Sequence, residues 1–409
     1  SVAQNPIDIV TLRNELARAG KIDQAGGVEY LTSLSNFLGS SLSMEHYAHV
    51  VQRLATVRRV IAASHKIQSE GYAHGSDPDH VISVAQTELN AALAGAFGGE
   101  VSSIADVIGP VYDNVIAARD HKGDVTGIAT GYHDLDKLLL GLHRSDLMIL
   151  AARPAMGKTS FALNLALNVA RNKVPLGDRA GERCSVLFFS LEMGREQLGQ
   201  RLLSTRARVG LTELRKGDIS PVDEVALRTA AADLSELKMY IDDQPALTTV
   251  DLAARAKRTA MMHGLDLIVV DYLQLMRGTG GGKQSREQEI SEISRTLKGL
   301  AKELNVTVIA LSQLNRSLES RADKRPMMSD LRESGAIEQD ADIILFVYRD
   351  AVYNDEAPES AAEIIVSKHR AGPTGKVNLF FEGRLTHFCN IDDRFGDSFA
   401  GVSPVKYDN

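Results

Sequence analysis

Gly157-Lys158-Thr159 stands where an apolar run, Leu147 to Ala152, gives way to the helix-like run Phe161 to Leu167. A Gly-Lys-Thr at such a junction is the phosphate-cradling end of a P-loop. Backbone N–H groups and a helix N-terminus meet an anion there, and the lysine reaches its oxygens. The first glycine of the general pattern G-x-x-x-x-G-K-[ST] is replaced by Ala152, and an ordinary strand–turn–helix is the plainer alternative. Phosphoryl transfer further needs a metal, an oriented water and cations that offset the developing charge. Thr159 is placed to put its hydroxyl on Mg²⁺. Asp271 closes the apolar run that follows Asp266, a buried strand delivering one carboxylate at its C-terminal end, and is preferred over Asp266 as the metal-side acid. Glu192 follows Val186 to Leu191 and could polarise a water. Gln313 and Asn315 follow another apolar run, where a neutral amide could sense a terminal phosphate. Lys368-His369-Arg370, just before Ala371-Gly372-Pro373, could form a cationic hairpin tip acting in trans, or only a solvated basic turn.

These residues must be held by elements, and from Gly127 onward strands and helices alternate, the pattern of an α/β domain with a mostly parallel sheet. Candidate strands are 147–152, 185–191, 239–242, 265–271, 306–311, 341–348, 362–367 and 377–381. The clearest helix is 288–304, where Ile290, Ile293, Leu297, Leu300 and Ala301 make one apolar stripe. Residues 1–95 read as all helix, with 46–69 and 78–93 the firmest stretches. Glycine-rich Ala94 to Gly99 marks a boundary. A short amphipathic helix beginning at Ile104 then lies alone in a linker, 96–126. Its apolar face packs on the following domain or docks on a neighbouring subunit; both readings stand. The segment from Arg277 to Lys283 is glycine-rich and either a surface loop or a second contact for a polyanion.

Composition narrows the class. The chain has 409 residues, 44% hydrophobic and 24% charged, with no tryptophan, so two or more soluble globular domains are expected. A net charge of -7 excludes a global basic field, so any nucleic acid must be held by local loops. Cys184 and Cys389 have no metal or disulfide spacing, and no run spans a bilayer, which points to a cytoplasmic setting.

Taken together, the motifs resemble those of DnaB-type replicative helicases. They are Ala151-Ala152-Arg153-Pro154-Ala155-Met156-Gly157-Lys158-Thr159, Phe189-Ser190-Leu191-Glu192-Met193, Asp271-Tyr272-Leu273-Gln274-Leu275-Met276 and Ser312-Gln313-Leu314-Asn315-Arg316. The run from Ser329 to Asp342 and Lys368-His369-Arg370-Ala371-Gly372-Pro373-Thr374-Gly375 complete the set. Alanine at the first P-loop position is usual in this family.

The resemblance implies a RecA-like P-loop NTPase domain, 127–409, preceded by the helical collar and a linker helix, assembled as a homohexameric ring. It implies ATP and Mg²⁺, 5′ to 3′ translocation on single-stranded DNA, unwinding at the replication fork, and primase and a helicase loader as partners. By resemblance Ala155, Gly157, Lys158, Thr159 and Ser160 hold the phosphates and metal, with Asp271 as the Walker B acid. Glu192 is the catalytic base, Gln313 the sensor, and Arg201 lies near the nucleotide. Lys368, His369 and Arg370 reach the neighbouring subunit's site, Arg370 as the finger, and Arg349 stacks on the base. Arg332, Glu333 and Gly335 grip the DNA backbone. His369 stands where glutamine is frequent, and further helices usually precede the stretch matching Asn5 to Asp8, so the collar is expected to be incomplete. The competing reading is a RecA- or RadA-like protein whose ATP gates DNA binding without unwinding.

Overall fold

The structure, a computed structural model, describes residues 41–73, 77–97, 103–120, 125–175, 179–276 and 285–391, with positions 16, 22 and 27 standing alone before them. It falls into two compact units, Ser1–Ile104 and Ala105–Asn409. In the first, the helices Ser41–Gly71 and Pro78–Phe97 run antiparallel, since Lys66 pairs with Glu88 and, further along, Glu70 meets His80. Ala63 and Ala92 are buried. The second helix continues through Gly95 to Phe97, while Gly98 and Gly99 lie outside the described residues, as does the expected helical start of the chain apart from Leu16.

The helix Ile104–Asp120 leaves Val107, Ile108, Val111 and Tyr112 exposed. Among the described residues no helix is long and apolar enough to cross a membrane.

The second unit is built on a nine-stranded sheet. Its strands are β1 (Leu147–Ala152), β2 (Val186–Ser190), β3 (Met239–Asp242), β4 (Leu267–Asp271), β5 (Thr307–Gln313), β6 (Ile343–Tyr348), β7 (Ala361–His369), β8 (Gly375–Glu382) and β9 (His387–Asn390). Their order is β3-β2-β4-β5-β1-β6-β7-β8-β9, parallel from β3 to β6 and antiparallel from there on.

The central strands are buried on both faces. In β1, Met148, Leu150 and Ala152 pack in the layer of the helix Lys158–Arg171, and Leu147, Ile149 and Ala151 in that of the helix Arg286–Leu304. This explains the unbroken apolar runs in the sequence. The helix Arg286–Leu304 starts at a capping box between Ser285 and Gln288 and ends at Asn305 in the left-handed region. The glycine-rich segment before it, with Arg277 and Lys283, lies outside the described residues.

One strand was not expected. Cys389 stands in a strand-like run, but β9 is only four residues long, with polar ends, and shows too little alternation to be bounded as a strand. It pairs with β8 and sets Phe388 into an aromatic cluster with Phe161 and Phe381.

Candidate active site

Parallel pairing brings the C-terminal ends of several strands to one edge. Ala152 of β1 lies opposite Gln313 of β5, and Ser190 of β2 opposite Asp271 of β4. Ligands of open α/β sheets bind at that edge. From it the chain turns through Ala155 at φ 69° and Gly157 at φ 91° into the helix that begins at Lys158. The glycine is required twice over: its φ is left-handed, and a Cβ there would meet the Phe388 ring at 2.9 Å. Asn164 of the same helix accepts the Phe388 N–H at 2.8 Å, so β9 is the floor on which the P-loop rests.

Inside the loop, the Thr159 hydroxyl donates to one Asp271 carboxylate oxygen at 2.7 Å. The other Asp271 oxygen is buried without a hydrogen-bond partner, with the Lys158 ammonium 3.9 Å away. That ammonium also lies over the Tyr272 ring, 4.3 Å from its centre.

The charges are held out of water at a cost. Burial pushes the Lys158 ammonium below its usual range, against the opposing pull of Asp271 and Glu192. Burial likewise pushes the Asp271 carboxyl up, against Lys158 and the Thr159 hydrogen bond. An anion beside Lys158 and a dication beside Asp271 would each relieve one of these. A hydroxyl and an under-bonded carboxylate are hard oxygen donors, the set Mg²⁺ takes when phosphates supply the rest. The residues therefore fit a nucleotide triphosphate with its metal.

Around this core, Arg201 donates to the Ser160 hydroxyl at 3.2 Å. Burial, aided by Arg215, lowers its guanidinium from the ordinary value, and Asp271 and Glu192 oppose that. Glu192 is exposed and lies past the end of β2, because the strand stops where the Ser190 hydroxyl bonds both the N–H and the carbonyl of Met193. Gln313 ends β5, and its N–H donates to the Gln274 side chain at 3.3 Å while Gln274 donates to the Ser312 hydroxyl at 2.9 Å. Asp266 sits at the opposite end of β4, fully buried and committed to Arg144, Arg179 and the Ser185 N–H.

The hairpin tip between β7 and β8 is elsewhere. Arg370 is 73% exposed, with its guanidinium 3.5 Å from Asp342, and its N–H donates to the Asp342 carbonyl. Asp342 in turn accepts the N–H of Leu147, at the start of β1. His369 contacts the Pro373 carbonyl through Nδ1, and Lys368 donates to the carbonyls of Glu338 and Ala341.

Comparison with known proteins now decides the family. Residues 127–390 match the DnaB-like helicase C terminal domain and residues 2–53 the DnaB-like helicase N terminal domain. The chain belongs to the DnaB-like helicase family. It is 42% identical over 400 residues to the replicative DNA helicase DnaC of Bacillus subtilis (strain 168), covering 98% of this chain and 86% of that protein. It is 42% identical over 394 residues to the replicative DNA helicase DnaB of Geobacillus stearothermophilus, covering 96% and 85%. A solved structure of a DnaB-like replicative helicase and its interactions with primase superposes with a TM-score of 0.69 at 33% identity, covering 95% of this chain and 88% of that one.

The Arg349 guanidinium lies over the Phe381 ring, 4.1 Å from its centre, and donates to the carbonyls of Ala155 and Glu359. The bond to Ala155 puts it at the P-loop rim. Arg332, Glu333 and Gly335 belong to the short helical stretch from Met328 to Asp340, and their side chains lie outside the described residues.

Arg153 has no role in the sequence motifs as assigned above, yet it is 7% exposed and ties the P-loop to the segment after β5 through Glu319 and the Leu314 carbonyl. The same holds for Gln274, the bridge between the ends of β4 and β5. Their motif positions were visible; their partners, more than a hundred residues away in the case of Arg153 and Glu319, were not.

Proposed function

We propose that the chain is the motor subunit of a homohexameric replicative helicase, translocating 5′ to 3′ on single-stranded DNA and unwinding duplex at the fork with ATP and Mg²⁺. The observation that carries this reading is the distance between the two halves of the site. Arg370 is tied to Asp342, beside the start of β1, whereas Lys158 follows its end. A six-residue strand spans roughly 20 Å. Arg370 therefore serves a neighbour's nucleotide, and the site is complete only between subunits.

Bound ATP with Mg²⁺ supplies the phosphoanhydride and the dication. Lys158 and the loop N–H groups from Ala155 to Ser160 hold the phosphates, and Thr159 and Asp271 hold the metal. Glu192 takes the proton of the attacking water, Gln313 senses the terminal phosphate, and Arg201 supports the phosphate side through Ser160. Arg349 stacks on the base. Lys368, His369 and Arg370 enter from the next subunit, Arg370 offsetting the charge that develops on the transferred group.

Arg332, Glu333 and Gly335 contact the DNA backbone, which a ring multiplies, so an acidic chain can hold DNA without a basic face. Primase and a helicase loader are the expected partners and the cytoplasm the expected setting. Strand displacement on a fork with a 5′ single-stranded tail tests the reading. ATP-dependent displacement is expected; ATP-dependent DNA binding without displacement would favour the RecA-like alternative.

A further inference from the structure

Alternation along β7 sends Ala362, Ile364 and Val366 into the layer of the helix Lys158–Arg171. Lys368, two residues on, would follow them. It does not, because the ladder with β6 slips: Val366 pairs with Leu345, but Lys368 pairs with Ile344, so Ser367 is an extra residue in β7. Such a bulge turns the next side chain to the other face. Ile344 faces the opposite layer, which also holds Ile337 and Ala341. Lys368 is thereby aimed at the C-terminus of the helix Gly335–Asp340, where its ammonium donates to the carbonyls of Glu338 at 2.6 Å and Ala341 at 2.7 Å. Those carbonyls are the unpaired end of a helix, where a cation is favoured by both hydrogen bonding and the helix dipole.

We propose that Lys368 is a positioning residue with two alternative partners. In the subunit without a neighbour's nucleotide it caps the helix that follows the DNA-contacting segment. When the hairpin tip engages that nucleotide, the ammonium leaves the carbonyls for phosphate oxygens and the cap is lost. Nucleotide in one subunit thus loosens the DNA-contacting helix of the next. With two of its three N–H bonds on the helix carbonyls, the ammonium has one left for phosphate oxygens, and a stronger grip on them must draw on the cap, which makes the coupling reciprocal: DNA that holds the helix capped weakens that subunit's grip on the neighbour's phosphate. The proposal rests on the in-trans reading of the tip.

Hydrogen exchange of the full-length chain, read on peptides spanning 335–342, tests it in wild type, Lys368→Ala and Lys368→Arg. Without nucleotide, Lys368→Ala should exchange about tenfold faster than wild type, the loss of a pair of charge-assisted bonds, and Lys368→Arg should stay close to wild type. Adding a non-hydrolysable ATP analogue with Mg²⁺ should close the gap between wild type and Lys368→Ala, whatever ring assembly does to both. No gap without nucleotide, or a gap that nucleotide leaves unchanged, overturns the proposal. Hydrolysis by Arg370→Ala at the wild-type rate would overturn it on a separate ground, by removing the in-trans contact while leaving the nucleotide-free gap in place.

Discussion

Around Lys158 the side chains are buried and bonded to one another; around Arg370 they stand in water and are bonded to the backbone and carboxylate of another element. Lys158, Thr159 and Asp271 share one pocket, floored by Phe388 and fixed by the close approach of Gly157. Lys368 and Arg370 instead rest on Glu338, Ala341 and Asp342. The first half is pre-organised, its charges desolvated before any ligand arrives, and this is the arrangement that makes electrostatic catalysis effective. The second half is provisional. Arg370 holds Asp342 through a guanidinium that stands largely in water, where an ion pair contributes about 0–1 kcal/mol, and Lys368 holds two backbone carbonyls that a phosphate can replace. On the proposed in-trans reading, a site made and broken between subunits in every cycle needs one rigid face and one exchangeable one.

The largest effects should come from removing either half. Lys158→Ala is expected to lower ATP hydrolysis by about a thousandfold or more, and Arg370→Ala by about a thousandfold, with ring assembly largely retained in a native mass measurement. Mixing the two inactive proteins tests whether the two residues meet. An interface with the intact loop of Arg370→Ala and the intact tip of Lys158→Ala is complete, and random mixing makes about a quarter of interfaces so. Hydrolysis should reappear on mixing. If it does not, and the mixed rings are shown to form, the two residues do not meet across an interface.

Much of the rigid half was legible in the sequence, and little of the exchangeable half was. Strands buried on both faces announce themselves as apolar runs, so β1, β4 and β5 were readable to within a residue or two, and with them the placement of Lys158, Asp271 and Gln313 at one edge. What holds those residues was not readable. Thr159 and Asp271 are 112 residues apart, and no local pattern says that a hydroxyl meets a carboxylate. β9 stands outside the candidate strands, although Cys389 lies in a strand-like run, because four residues with polar ends carry no periodicity, yet it supplies the P-loop floor. Glu192 was read as ending a strand that in fact stops at Ser190, where a side-chain turn intervenes. At the tip, strict alternation would have sent Lys368 to the wrong face, since a single extra residue reverses everything after it.

A third prediction follows from that floor. Phe388→Ala removes a fully buried ring under Gly157 and should destabilise the second unit by about 3–5 kcal/mol. The loss would be read as a lower unfolding midpoint, together with weaker nucleotide binding. Lys368→Ala, at the exchangeable half, should leave the midpoint nearly unchanged. Equal losses would mean that the tip is as structural as the floor.

The smallest effect should be a pH dependence confined to the rigid half. His387 opens β9, and its Nδ1 is buried without a hydrogen-bond partner. Burial pushes its imidazole below the usual range, Arg208 pushes it further, and Glu382 opposes both. A histidine depressed in the folded state binds its proton more readily when unfolded. Its contribution to stability is therefore complete above the ordinary imidazole range and is lost as pH falls through that range towards the folded value. Thermal unfolding followed from neutral pH down into the acid range should show the midpoint falling, and His387→Gln should flatten part of that slope while leaving the neutral-pH midpoint close to wild type. The shift should be smaller than that of Phe388→Ala, because β9 keeps its pairing with β8 and the Phe388 N–H keeps its bond to Asn164. An unchanged slope in His387→Gln would mean that the acid sensitivity of the P-loop floor arises from another group.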